Sequence, residues 1–233
     1  IARYAYDGAY RRVSKVTGAE VRPYYYSDQW QILEERTGTN NYADRRFVWG
    51  MRYRDDLVCR DRRPAGKTER LYVLHDYFSP TAIIDVNGTV LERYGYDAFG
   101  TALFMDASFG ARSSSDYDWE TLFGAYRYER ETGWYPVRFR ILHSSLGRFL
   151  SRDPIGVAGG DNPYGYVGNA PANEVDVSGL YRAGGHFYSS LYILLARGLP
   201  PELAFRYAYY SQFPDQVRRA DAIWGYFDNP TRI

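Results

Sequence analysis

The sequence predicts a mainly β chain that ends in a small α-helical C-terminal segment, with the change of class at Leu180. Three observations predict it. Aromatic residues make up 18% of the 233 residues, with 25 tyrosines, 12 phenylalanines and 5 tryptophans, and such side chains suit the half-buried surface of a sheet. Up to Leu180, short alternating stretches are separated by turn residues. Beyond Leu180, apolar residues recur at helical spacing between glycine and proline breaks. The remaining composition is ordinary for a globular chain, 45% hydrophobic and 24% charged, which argues against a disordered, collagen-like or coiled-coil chain. Lys+Arg 29 against Asp+Glu 28 leaves a net charge of +1, so no global field draws nucleic acid or an anionic membrane. Cys59 is the single cysteine, which excludes an internal disulfide framework, and no apolar run reaches the roughly 18 residues of a membrane span. The chain opens at Ile1 in mid-pattern without a signal-peptide layout, and is expected to be the C-terminal portion of a longer protein.

Taken in order, Arg3–Gly8 alternates into a turn and Arg12–Val16 resumes the alternation. Tyr24–Asp28 leads into Trp30–Glu35, and Arg46–Trp49 and Asp56–Cys59 flank an interruption near Gly50. Ala82–Leu91 carries Asn87-Gly88 between β-rich arms, which predicts a hairpin with a type I′ turn. A repeat is visible: Tyr4-Ala5-Tyr6-Asp7-Gly8 returns as Tyr94-Gly95-Tyr96-Asp97-Ala98, with degenerate relatives at Tyr25-Tyr26-Ser27-Asp28 and His75-Asp76-Tyr77. Spacings of roughly twenty residues and multiples fit strand–turn–strand units wound into a stack. Arg60–Arg63 reads as a solvated turn before Pro64, and Ala107–Asp118, small and polar, as an exposed loop.

After Leu180, Phe187–Arg197 is apolar enough for a buried helix, Gly198 is a natural stop and Pro200-Pro201-Glu202 a natural restart. Leu203, Phe205, Tyr207 and Tyr210 continue helically, and a further segment starts at Pro214-Asp215.

The unit Tyr94-Gly95-Tyr96-Asp97-Ala98-Phe99-Gly100 resembles the repeat of the RHS/YD-repeat family. A longer stretch resembles that family's associated core domain. It comprises Arg127–Tyr135, Gly147–Gly156, Asn162–Pro171 and Asp176–Leu180. On this resemblance residues 1–121 are RHS/YD repeats, 122–180 the RHS-associated core domain, and 181–233 a variable, effector-like helical segment. The resemblance implies a spiralling β-shell around a cavity, with the core domain plugging one end. It further implies that an intramolecular aspartyl protease frees the C-terminal segment, for delivery in competition between cells. Carried onto this chain, the carboxylates are Asp153 and Asp176, the supporting arginine is Arg140, and the cut bond is Leu180–Tyr181. Val177 stands where the family's motif has proline. The implied partners are the chain's own C-terminal segment as cargo, a secretion or delivery apparatus and an immunity protein, and the implied location is secreted or cell-surface.

The residue types suit that chemistry. Two carboxylates sharing one proton can activate water and protonate a leaving amide, because like charges at close range raise one pKa. An arginine can hold a carboxylate or stabilise developing negative charge. Read without the resemblance, Asp153 before Pro154 and Asp176 before Val-Ser-Gly are turn residues, and Arg140 covers strand surface or pairs with an aspartate. A non-cleaving cell-surface scaffold is therefore the alternative.

In the tail, Gly185-His186-Phe187-Tyr188 and Ala208–Asp215 resemble the start of an HD-like hydrolase module. A divalent metal there would take His186, Asp215 and Asp221; no cofactor is expected for the β-shell. The bland reading makes Asp215 a helix cap and His186 an ordinary histidine. His75 and His143 lack metal spacing, Cys59 reads as a small buried hydrophobe, and Asp161 as a loop residue.

Overall fold

The computed structural model describes residues 2–38, 42–63, 67–156, 162–180, 194–195 and 197–210. An antiparallel sheet of 11 strands, in chain order across its width, forms the first part: β1 (Ala2–Tyr6), β2 (Arg12–Thr17), β3 (Glu20–Tyr26), β4 (Ile32–Glu35), β5 (Arg45–Trp49), β6 (Leu57–Arg62), β7 (Glu69–Asp76), β8 (Ser79–Ile84), β9 (Val90–Tyr96), β10 (Ala102–Asp106) and β11 (Ala111–Arg112). A second, three-stranded sheet follows: β12 (Tyr135–Val137), β13 (Arg140–His143) and β14 (Arg148–Phe149). Helix α1 covers Pro201–Tyr210. The mainly β reading with a small helical segment holds.

Period-two alternation puts one face of the long sheet under cover. Leu57 and Cys59 are buried while Val58 between them is exposed, and Leu71 and Val73 are buried beside exposed Leu74. Trp119, Leu122, Phe123 and Tyr126 from the connecting segment, with Tyr135, Leu142, Phe149 and Tyr166, fill the same hydrophobic core as Leu57, Ile83 and Phe104 of the long sheet. Cys59 is thus the small buried hydrophobe expected, its thiol pushed up by burial.

The Tyr-Asp repeat has a physical cause. The Asp97 carboxylate accepts from the amides of Phe99 (3.0 Å) and Thr101 (2.8 Å), the Asp97 amide donates to Thr101 O, and Gly100 adopts φ +92. This is a turn followed by a left-handed bulge residue, locked by an aspartate that bonds its own backbone. The same turn recurs at Asp7, Ser27, Asp85 and Asp106, with Tyr10, Trp30, Gly88 and Phe109 in the left-handed position.

Three expectations are corrected. The hairpin at Asn87-Gly88 is present, but only Gly88 has positive φ (+82), so its turn is the Asp85 form above rather than type I′. Arg60 is not in a solvated turn: it lies in β6, 2% exposed, donating to the carbonyls of Tyr117 and Asp118 at 2.7 Å and facing the Trp119 ring. Those carbonyls supply what water would otherwise give the charge. Within the stretch 107–118, Ala111–Arg112 pairs with β10, and buried Ser115 donates to Glu92 at 2.6 Å.

In the C-terminal part, the amides of Gly198 and Leu199 bond back to Leu195 O (2.9 Å) and Leu194 O (3.1 Å), with Gly198 at φ +80. Gly198 thus has the left-handed form and backbone bonds of a helix stop, and the helix expected over Phe187–Arg197 lies mostly outside the described residues. No helix among the described residues is long and apolar enough to cross a membrane. Tyr181, His186, Asp215, Asp221 and Asp161 lie outside the described residues.

Candidate active site

Arg140 opens β13, Asp153 lies in the turn after β14, and Asp176 belongs to the segment 175–180. The structure brings all three together in the interior, with Arg140 4%, Asp153 7% and Asp176 2% exposed. Both carboxylates converge on one guanidinium nitrogen: Arg140 Nη2 is 3.0 Å from Asp153 Oδ2 and 3.3 Å from Asp176 Oδ2. The guanidinium is stacked 3.7 Å from the Phe149 ring centroid, and its Nη1 donates to Pro163 O at 3.3 Å.

The other oxygen of each carboxylate anchors its own loop. Asp153 Oδ1 accepts from the Ile155 amide at 3.1 Å, and Asp176 Oδ1 accepts from the amides of Ser178 (3.2 Å) and Gly179 (2.8 Å). The turn roles read from sequence and the convergence on Arg140 therefore coexist: Oδ1 shapes the loop while Oδ2 faces the arginine. Burial pushes the Asp176 carboxyl up to about 6, against the pull of its amide donors and Arg140, and burial raises Asp153 as well. Asp176 therefore retains its proton into weakly acidic pH.

The backbone ahead of Leu180 passes through the site. Arg140 Nε donates to Gly179 O, Ser178 Oγ accepts from the Leu180 amide at 3.2 Å, and the Tyr126 hydroxyl donates to Asp176 O at 2.8 Å. Tyr126 also meets the Tyr166 hydroxyl at 3.1 Å. A cavity of about 370 Å³ adjoins the site, lined among others by Tyr24, Trp49, Tyr126, Arg138 and Arg140.

Sequence reasoning did not single out Tyr126, Tyr166, Phe149 or Arg138. Tyr166 and Phe149 sit inside stretches quoted for the resemblance, and Arg138 is two residues before Arg140, but nothing local marks any of them as partners of a carboxylate loop. No group of three His, Cys, Asp or Glu side chains able to hold a metal occurs among the described residues.

No family model matches the chain. It is 30% identical over 183 residues to the tRNA nuclease WapA of Bacillus subtilis (strain 168), covering 76% of this chain and 7% of that protein. It is 43% identical over 179 residues to the probable deoxyribonuclease RhsB of Dickeya dadantii (strain 3937), covering 76% of this chain and 12% of that one. The chain thus spans a small fraction of the curated relatives it matches. Among solved structures, a crystal structure of TcdB2–TccC3 without its hypervariable C-terminal region superposes with a TM-score of 0.59 at 22% identity, over 77% of this chain and 9% of that one.

Proposed function

The chain is an RHS-type protein, and from that premise we propose that residues 1–180 form part of a toxin-delivery shell whose closing segment cuts its own backbone after Leu180. The segment that follows is then the cargo, and its reaction differs between relatives as the tRNA nuclease and deoxyribonuclease names do. A delivery apparatus, an immunity protein and a secreted or cell-surface location belong to the same reading.

One observation carries the cleavage: two buried carboxylates meet at one buried guanidinium, and that guanidinium also donates to the carbonyl of the residue before Leu180. In the reaction, the ionised carboxylate of the pair takes a proton from water as the water oxygen bonds to the Leu180 carbonyl carbon. The protonated carboxyl gives its proton to the Tyr181 nitrogen as the C–N bond breaks, leaving a Tyr181 amine and a Leu180 carboxylic acid that loses its proton to water. Arg140 holds both carboxylates in place and stabilises the charge as it moves between them. Effective molarity replaces substrate binding, because the bond is on the same chain.

The test is the intact mass of the full-length protein beside its Asp153→Asn and Asp176→Asn variants. A cut between Leu180 and Tyr181 in the wild type, lost in both variants, is the expected result. A folded, uncut wild type overturns it and leaves Asp153 and Asp176 as turn residues of a non-cleaving scaffold.

A further inference from the structure

The turn joining β12 and β13 runs alongside the backbone that leads to Leu180. The two residues of this turn and the first of β13 donate to three successive carbonyls: Arg138 Nη1 to Val177 O, the Phe139 amide to Ser178 O at 3.2 Å, and Arg140 Nε to Gly179 O. The two backbones are so close that a Cβ at Gly179 would lie 2.3 Å from Val137 O, and Gly179 adopts φ +76. Only glycine fits both the space and the conformation.

The turn is itself held by the long sheet. Arg138 Nη2 pairs with Asp55, in the connection between β5 and β6, at 2.7 Å, and the two side chains are only 12% and 14% exposed. The Phe139 ring lies 6.0 Å from Tyr10 and 5.1 Å from Trp30, the left-handed residues of the β1–β2 and β3–β4 turns. Three connections on the long sheet therefore bear on the two residues at the tip of one short hairpin.

We propose that Arg138, set in place by Asp55, is a positioning residue for the cut after Leu180, and that it makes cleavage conditional on the long sheet being folded against the closing segment. This rests on the self-cleaving reading above. Val177 lacks the ring that would fix φ immediately after Asp176. Its side chain instead packs against the core and its carbonyl is gripped by Arg138. Fixing that carbonyl fixes the chain between Asp176 and Gly179, and hence where the Leu180 carbonyl is offered to the carboxylates. Asp55 lies 83 positions before Arg138, so the pair exists only once the long sheet has docked.

The experiment follows the Leu180–Tyr181 cut by intact mass as the full-length protein folds, over pH values from about 5 to 8. Arg138→Gln and Asp55→Asn are expected to slow the cut about tenfold to hundredfold at every pH without changing the profile, and Asp55→Glu to restore most of the rate. A wild type that cuts beside an Arg138→Gln variant that cuts equally fast overturns the positioning role and leaves the protease reading standing. An uncut wild type overturns the protease reading itself. Hydrogen exchange in the Asp153→Asn background gives a second readout. Arg138→Gln should speed exchange of the Phe139 and Gly179 amides while the strands of the long sheet keep their protection. Unchanged exchange at those amides, or faster exchange throughout the sheet, overturns the proposal.

Discussion

Lys15, on the second strand of the long sheet, places its ammonium 2.9 Å from Glu129, 114 positions later in the closing segment, with the two side chains 11% and 5% exposed. Arg12 joins the same carboxylate, so the edge of the sheet is tied to the closing segment through one nearly dry glutamate. Burial pushes the Glu129 carboxyl up, but Arg12 and Lys15 more than reverse it and hold it below the usual glutamate range. A carboxyl lowered in the folded state stabilises the fold above its unfolded pKa and loses that contribution as pH falls through its folded value. Glu129→Gln should therefore cost about 3 kcal/mol at neutral pH, because it leaves the buried Arg12 guanidinium without an ionised partner, while Lys15 keeps Glu131 at 2.8 Å. Urea unfolding at pH 7 and at about pH 3 checks this: the gap between wild type and variant should narrow in acid, where the unfolded wild type takes up the proton that the folded carboxyl excludes.

Asp176 carries the opposite sign. Its carboxyl, pushed up to about 6 by burial, binds a proton in the folded chain that an unfolded aspartate with a pKa near 4 has already released. The fold therefore loses stability as pH rises from about 4 through about 6. In an uncut Asp153→Asn background, adding Asp176→Asn should remove that slope, because the group that titrates between the two values is gone. The rate of self-cleavage should fall about tenfold per pH unit above the range in which the pair keeps its proton. Denaturation midpoints and cleavage time courses across pH test the two halves separately.

Glycine substitutions separate the site from the turns. Gly179→Ala sets a Cβ against Val137 O in a left-handed conformation, and should abolish the cut and destabilise by more than about 1 kcal/mol. Gly88→Ala has the same sign of φ (+82) but open space around it. It should cost about 1 kcal/mol and leave the cut untouched. Intact mass and a melting curve on each variant are sufficient.

Alternation made the strands legible. Leu57, Val58 and Cys59 read as in, out, in, and the structure places them so. Arg60 was illegible for the same reason, since a charged residue after such a run reads as surface, and the carbonyls that compensate it come from Tyr117 and Asp118, 57 and 58 positions away. The meeting of Arg140, Asp153 and Asp176 follows no local pattern either. The residues alone said turn at both aspartates, which their Oδ1 contacts satisfy, and only the resemblance set them side by side. The type I′ expectation at Asn87-Gly88 missed because it weighed the two central residues and not Asp85, whose side chain decides the turn.

In the degenerate repeat Tyr25-Tyr26-Ser27-Asp28, sequence similarity points to Asp28 as the turn aspartate. In the structure Ser27 occupies that position: its Oγ accepts from the amides of Gln29 and Gln31 at 3.2 Å, and its own amide donates to Gln31 O at 2.8 Å. Asp28 is exposed. Asp28→Ala should then change stability by less than about 0.5 kcal/mol, as an ordinary surface substitution does. Ser27→Ala should cost about 1 kcal/mol, and Asp97→Ala, which removes an ionised acceptor from two shorter amide bonds, about 1.5–3 kcal/mol. Urea midpoints for the three variants would rank them in that order if the turn is built on the residue that bonds its own backbone. An Asp28→Ala loss as large as that of Asp97→Ala would return the role to the aspartate that the sequence singles out.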